Sequence, residues 1–396
     1  MNLKRKYFIL KFLFSIMKEG ITDQEKLFEM LGSLKGIPQK YGQFLYLQNR
    51  KKYHAFEKLL DVGIPSEDLE LYHRIETLTE GKITLTEKPI ASASIGQVYE
   101  GTLNGETVIV KAQYPEIQRS LQHDWRFVKK TVGFFFSFFR FPQESKDLLV
   151  NYLQEFEETI EKETNYILEA QNLLAFKEAF KEYSYIYIPK LYEEYTRKDI
   201  LVEEKCTGIP LKEFLKSASE AEKRQLLDIL GQFYFNAFFQ HHMLHGDPHS
   251  ANFFVEKHTD ELILQIIDFG CVKYYTTTFI DAFKGLIDSL RKEAYTNIQL
   301  YLLDLGFRQD ELNAYDKALI PILNTIFEPF LVDENFDFKY WKLTYKLNTI
   351  MGSKVFEKTM SLPKDLLILF RVFHGFIAHI DYLKEKEYNI YHFMSR

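Results

Sequence analysis

Two short segments near the middle of this 396-residue chain carry residues able to do chemistry: HGDPHSAN at 245–252 and IIDFG at 266–270. Asp247 and Asn252 stand five positions apart, and Asp268 closes an apolar run. A phosphotransfer site needs these types in this order. A nucleoside triphosphate carries several negative charges, and the Mg²⁺ that accompanies it prefers hard oxygen ligands. Asn252 and Asp268 would supply such oxygens, which leaves Asp247 to accept a proton from an attacking hydroxyl. Each segment by itself could equally be a turn closed by its own Asp side chain. Their succession argues for chemistry.

A phosphate-binding cation completes the set. Lys111 ends the strand-like run TVIVK, whose alternation sends Val108, Val110 and Ala112 to one face and Ile109 and Lys111 to the other. An ammonium on the inner face of a small sheet is costly unless it meets an anion, and a helix carboxylate must hold it in place. Glu169, in an acidic helical stretch, is the expected carboxylate. His245 reads as a brace for the loop backbone and His249 as loop scaffold or outer support. His241 and His242 are not expected to bind metal, because no Cys/His spacing suited to zinc occurs. Magnesium is the one metal expected.

Several elements must position these groups. Residues 1–80 read as helical, with Gly63 to Pro65 and Gly81 as breaks. From Ile90 to Gln113 the period changes to two, and GQVYEGTL and ETVIVKAQ flank Asn104-Gly105, a strong hairpin signal. Residues 148–181 return to a long acidic helical pattern, and strand character reappears in IYIPKLYEEY and DILVEEKC. Beyond Ser217 the pattern is helical, apart from a loop and two strands around 245–270. This order predicts an α+β, two-lobed protein-kinase-like fold with a small N-lobe sheet, one long helix and a helical C-lobe. The expected divisions are a helical extension over 1–80, an N-lobe with inserted helices over 81–207, and a C-lobe over 208–396.

Composition narrows the function classes. With 46% hydrophobic and 27% charged residues, the chain can bury a sizeable core. Its net charge of −6 lacks the basic footprint of a nucleic-acid binder. Two cysteines, Cys206 and Cys271, are too few for a disulfide framework, no secretory signal is apparent, and a reducing cytoplasm is expected. Cys271 reads as a small packing residue. No membrane-spanning segment is expected: the run Val132 to Phe141 is about half the roughly 20 residues a span needs, and Arg140 interrupts it. Its paired phenylalanines either pack in a core or touch lipid or a greasy partner. Leu366 to Ile380 reads as a buried helix.

At these residues the chain resembles the UbiB/AarF/ADCK atypical kinases. ASASIGQV at 91–98 is similar to that family's alanine-rich loop, KYGQ at 40–43 to its KxGQ motif, and ETNYILEAQN at 163–172 to its ExD motif with a downstream EA pair. HGDPHSAN and IDFG match as well, and the likeness runs over roughly residues 30–330. It implies ATP or ADP with Mg²⁺ as cofactors. Ala91, Ser92, Ala93, Ser94, Ile95, Gly96 and Gln97 would cover the phosphates in place of a glycine-rich loop. Glu204 to Cys206 would be the hinge that takes adenine. Lys40 would contact Glu163, with Gln43 on the same helical face and Asn165 beside them as the regulatory set. A solvated helix turn is the plain reading of KYGQ without the resemblance.

Two departures stand out. Asn165 replaces the ExD aspartate and removes a charge; Ser92 replaces an alanine, and Gly96 is the loop's one glycine. Side chains bearing Cβ restrict the loop's backbone relative to glycine, so nucleotide binding should differ from that of ordinary protein kinases. The implied function is Mg²⁺-dependent phosphotransfer or ATP hydrolysis tied to lipid or isoprenoid, quinone-type metabolism near a membrane, with lipid or membrane-surface contact. The acceptor is not legible. HGDPHSAN is also close to the loop of aminoglycoside- and choline-type phosphotransferases, and a nucleotide-switched binding protein without catalysis is a third reading. Ordinary protein phosphorylation is disfavoured, because no Ala-Pro-Glu follows the DFG.

Overall fold

The computed structural model describes residues 69–92, 95–115, 117, 119, 121–123, 125–126, 129–130, 164–259, 261–313, 316–351, 363–383 and 387–394. Lys40, Gln43, Ala93, Ser94, Glu163, the Phe-rich run 132–141 and the stretch 148–163 lie outside them. The described residues divide into two units. One runs to Gln171 and resumes over Lys190–Lys205; the other comprises Asn172–Pro189 and the chain from Cys206 onward.

The first unit is built on an antiparallel sheet. Helix α1 (Leu69–Leu78) places Leu71 and Ile75 four apart on one face and buries both against it. Strands β1 (Ile83–Leu85), β2 (Ala91–Ser92), β3 (Gly96–Leu103) and β4 (Glu106–Gln113) follow, and β6 (Ile200–Glu204) completes the order β1-β3-β4-β6, with β2 on β3. The β3–β4 turn is the expected one: Asn104 and Gly105 both take positive φ, 51° and 86°, as a two-residue primed turn requires. Alternation along β4 and β6 then sorts the faces. Val108, Val110, Ala112, Ile200 and Val202 enter a core with Tyr99, Leu103, Leu71 and Ile75. Ile109, Lys111, Leu201 and Glu203 take the opposite face.

Between β4 and β6 the chain forms helix α2 (Tyr166–Ala179), which opens in the first unit, and strand β5 (Ile186–Tyr187), which belongs to the second. Residue 165 sets where α2 starts. Asn165 Oδ1 accepts the Ile167 N–H at 3.2 Å, a side-chain N-cap on one of the donors that a helix start leaves unpaired.

In the second unit, β5, β10 (Glu261–Ile266), β9 (Phe253–His258) and β7 (Ile209–Pro210) form a four-stranded sheet in the order β5-β10-β9-β7. A separate ribbon pairs β8 (Met243–His245) with β11 (Val272–Tyr274). Helices α3 (Leu211–Ser217) and α4 (Glu220–Phe239) lead into β8. A complete capping box starts α4: the Ser219 side chain accepts the Glu222 N–H and Glu222 accepts the Ser219 N–H. Much of the chain's phenylalanine is spent here, because Phe233, Phe238, Phe253, Phe269, Phe283, Phe327 and Phe376 are all fully buried.

Helices α5 (Thr277–Arg291), α6 (Ile298–Asp304), α7 (Gln309–Asn313), α8 (Asp316–Leu331), α9 (Leu343–Met351) and α10 (Lys364–Tyr382) complete this unit. The apolar stretch 366–380 is the buried helix that its sequence suggests. It lies in α10, where Phe376 meets the Tyr234 and Phe235 rings at centroid distances of 6.2 and 5.2 Å. Among the described residues no helix is long and apolar enough to cross a membrane.

Candidate functional site

The lysine end of the site is built by strand register. In the antiparallel β4–β6 pair, Lys111 faces Leu201 and Ile109 faces Glu203, so Glu203 is the diagonal neighbour of Lys111 on the same face. Helix α2 closes that face by packing Tyr166 and Ala170 onto Leu201. Glu169 lies on the same side of α2, and its Oε1 accepts from Lys111 Nζ at 2.7 Å. The pairing expected from sequence is therefore present. A second carboxylate joins it: Glu203 Oε1 lies 3.1 Å from the same Nζ. Sequence reading missed Glu203 and placed interest on its neighbours. The i, i+2 alternation in ILVEE was the available signal.

The loop over 91–97 is partly described. Ala91 and Ser92 pair with Val98 and Gln97 across β2–β3. The Ser92 hydroxyl hydrogen-bonds the Tyr114 hydroxyl at 2.9 Å, and the Ile95 carbonyl accepts the Tyr114 N–H at 2.9 Å. Gln97 is buried, with its side-chain oxygen accepting from the Tyr99 hydroxyl at 2.7 Å. Gly96 is explained by proximity, since a Cβ there would stand 2.1 Å from the Ala112 carbonyl oxygen. At the expected hinge, the Glu204 N–H donates to the Lys190 carbonyl at 2.8 Å and its carboxylate accepts the Lys190 N–H at 3.0 Å. Cys206 is half-buried and in no disulfide.

In the second unit, the β8–β11 ribbon pairs His245 with Val272 and so brings the start of HGDPHSAN beside the residues following DFG. The Gly246 N–H donates to the Cys271 carbonyl at 2.6 Å. Gly246 also leaves room for Cys271, whose Sγ would lie 2.7 Å from an added Cβ. Asn252 then donates its amide to Asp247 Oδ2 at 2.9 Å. A carboxylate can only accept, so Asn252 keeps its Oδ1 as the oxygen left for a cation.

Asp268 is held by its neighbours. Its Oδ1 accepts the Gly270 N–H at 2.8 Å, and its backbone carbonyl hydrogen-bonds the His245 ring. The His245 ring is itself fixed between Phe176, Phe233 and Phe269. His245 thus ties the catalytic-loop segment to the DFG segment, the bracing role its position suggests. His249 caps the short turn after it by accepting the Ala251 N–H at 3.3 Å. Phe269 is fully buried, its ring 5.3 Å from Phe176 of α2, and its carbonyl accepts from Asn172 Nδ2 at 2.9 Å.

Two supports were not visible in sequence. Tyr234 of α4 is buried among Phe233, Phe253 and Phe376. Burial pushes its hydroxyl pKa well up, and the charge of Asp247 adds to the rise. Behind the loop, α10 approaches so closely that a Cβ on Gly375 would stand 2.1 Å from Pro248 Cγ.

The donor set suits magnesium. Among the described residues no three His, Cys, Asp or Glu side chains cluster as a metal cage. Mg²⁺ bound with a nucleotide does not need one, because one or two protein oxygens, phosphate oxygens and water fill its shell. Asn252 Oδ1 and the Asp268 carboxylate are oxygens of that kind.

Residues 82–302 match the family model described as the ABC1 atypical kinase-like domain. Among curated relatives, the probable protein kinase UbiB of Aeromonas salmonicida is 27% identical over 274 residues, 66% of this chain and 48% of that protein. The mitochondrial atypical kinase COQ8B of Rattus norvegicus is 25% identical over 376 residues, 89% of this chain and 68% of that protein. The chain thus spans about half the length of the UbiB relative. Among solved structures, the complex of Rv3197 with erythromycin from Mycobacterium tuberculosis aligns with a TM-score of 0.66 at 21% identity, covering 100% of this chain and 96% of that one. That likeness, with the family-model match, gives the chain a two-lobed, kinase-like fold. The chain belongs to the ABC1 atypical kinase-like family, the UbiB/ADCK branch of the protein-kinase-like superfamily.

Proposed function

We propose that this protein is a UbiB-type atypical kinase or ATPase that binds ATP or ADP with Mg²⁺ and catalyses phosphotransfer or hydrolysis. The observation that carries the reading is the Asp247–Asn252 hydrogen bond beside a braced Asp268, together with Lys111 held by a helix carboxylate. Lys111 meets nucleotide phosphate, and Glu169 fixes its ammonium. Asn252 and Asp268 offer their oxygens to the metal. When bound, Mg²⁺ neutralises phosphate charge as the phosphoryl group moves. Asp247 takes the proton of the attacking hydroxyl or water. By resemblance to the family, Ala91 to Gln97 would cover the phosphates, and Glu204 to Cys206 would take the base.

Family membership supports a link to lipid or isoprenoid, quinone-type metabolism at a membrane surface, with the protein peripheral to the bilayer. The segment between DFG and α5 is short, Cys271 to Thr276. It offers little platform for a peptide substrate, which favours a small or lipid-borne acceptor.

Titration with ATP and ADP, with and without Mg²⁺, tests the reading, followed by turnover with and without anionic liposomes. Mg²⁺-dependent binding should weaken at least about tenfold in Asp268→Asn and in Lys111→Ala, a change of about 1.4 kcal/mol. Wild-type-like binding in both variants would sink the proposal. Tight binding with no turnover under any condition would instead identify a nucleotide-switched binding protein.

A further inference from the structure

Two carboxylates grip Lys111 where one would position it. Glu169 reaches Nζ from helix α2 at 2.7 Å and Glu203 reaches it from strand β6 at 3.1 Å. Little water surrounds them: the Glu203 side chain is 3% exposed, that of Glu169 9% and that of Lys111 14%. Lys111 thus meets two carboxylates, and both compete with an incoming phosphate for its charge. Screening by solvent is weak at such burial, so that competition is little damped. Glu203 also lies directly opposite apolar Ile109 and two residues from apolar Leu201 on the same face, with Lys111 diagonal to it. A carboxylate there costs desolvation that an apolar side chain would avoid. It is a poor choice for packing and an effective one for controlling Lys111.

We propose that Glu203 is a positioning residue that competes with nucleotide phosphate for Lys111, holding nucleotide affinity down and making it depend on the positive charge Mg²⁺ brings. This rests on the reading that Lys111 meets phosphate. Glu169 and Glu203 then have opposite effects although both pair with the same ammonium. Glu169 presents the lysine; Glu203 withdraws it.

Calorimetric titration with Mg²⁺-ADP and Mg²⁺-ATP separates the roles. Wild type is compared with Glu203→Gln, Glu203→Met and Glu169→Gln, and each Glu203 variant is also combined with Lys111→Ala. Glu203→Gln should tighten binding about tenfold, equal to about 1.4 kcal/mol, and Glu203→Met should do the same. Glu169→Gln should weaken it. The gain should vanish in the Lys111→Ala background, a coupling that a merely structural role would not produce. Two substitutions of different chemistry keep the test decisive where one of them disturbs folding. Unchanged or weakened binding in both Glu203 variants, beside a wild type that binds, overturns the inference and leaves the nucleotide reading intact. A gain that survives Lys111→Ala also overturns it. If neither the wild type nor any Glu203 variant binds nucleotide, the nucleotide reading itself fails.

Discussion

Asn165 has a structural job that the resemblance to the family does not reveal. By resemblance it stands where the family carries an aspartate, and the missing charge draws attention. In the structure its side chain is occupied as the N-cap of α2, the helix that presents Glu169. Asn and Asp cap about equally well. Asn165→Asp should therefore leave stability nearly unchanged, and any change in Mg²⁺-nucleotide affinity then reports charge alone. Asn165→Ala should cost about 1 kcal/mol in denaturant unfolding. Loss of stability in the Asp variant comparable to that in the Ala variant would refute the capping role. The polar residues Lys111, Glu169, Asp247, Asn252 and Asp268 were legible because each must be one residue type in a fixed order. Glu203 was not, since its meaning depends on which strand pairs with β4, and β6 lies about ninety residues away in the sequence.

Helix α4 packs Phe233 on His245 and Tyr234 on Phe253 at the two ends of the 245–253 segment, and its start depends on Glu222. Lys257 first, then the Ser219 hydroxyl and N–H, hold the Glu222 carboxyl down at about 2 from its ordinary 4.5. A folded value below the unfolded one favours folding fully while the carboxylate is charged in both states, and progressively less once acid protonates it in the unfolded chain. The Glu222 contribution is thus complete above about pH 4.5 and declines as pH falls toward about 2. Glu222→Gln keeps the capping acceptor but loses the charge that Lys257 and the helix N-terminus meet, so it should be less stable than wild type near neutrality by about 0.5 kcal/mol. The difference should shrink on acidification, as read from unfolding midpoints at matched pH values. A gap that stays constant with pH would place the effect elsewhere. At this scale the β3–β4 hairpin and the α4 cap were readable, because local residues dictate both. The β8–β11 ribbon was not: its three-residue strands pair His245 with Val272 through a register that only the folded chain establishes.

For the molecule as a whole, the proposed nucleotide binding would be linked to folding. A ligand held only by the folded protein stabilises it by about 2.7 kcal/mol at one hundred times Kd. The unfolding midpoint should rise with Mg²⁺-ADP or Mg²⁺-ATP and return to baseline with EDTA. At the same ligand concentration the stabilisation should fall to about 1.4 kcal/mol or less in Asp268→Asn. A rise without Mg²⁺ would mean that the nucleotide is bound by something other than the proposed oxygens. The order of elements, and with it the kinase-like class, was legible from changes of period along the chain. The contact between α10 and the catalytic loop was not, since more than one hundred residues separate Pro248 from Gly375 and no local pattern links them. That contact bears on how substitutions are tolerated. Positions 248 and 375 share one volume, so a side chain gained at either must be matched by atoms lost at the other. The match to the family model ends at residue 302, yet α10, the helix that packs against the 245–252 loop, lies beyond that point. Swapping residues 82–302 alone into a relative would transplant the loop without that helix.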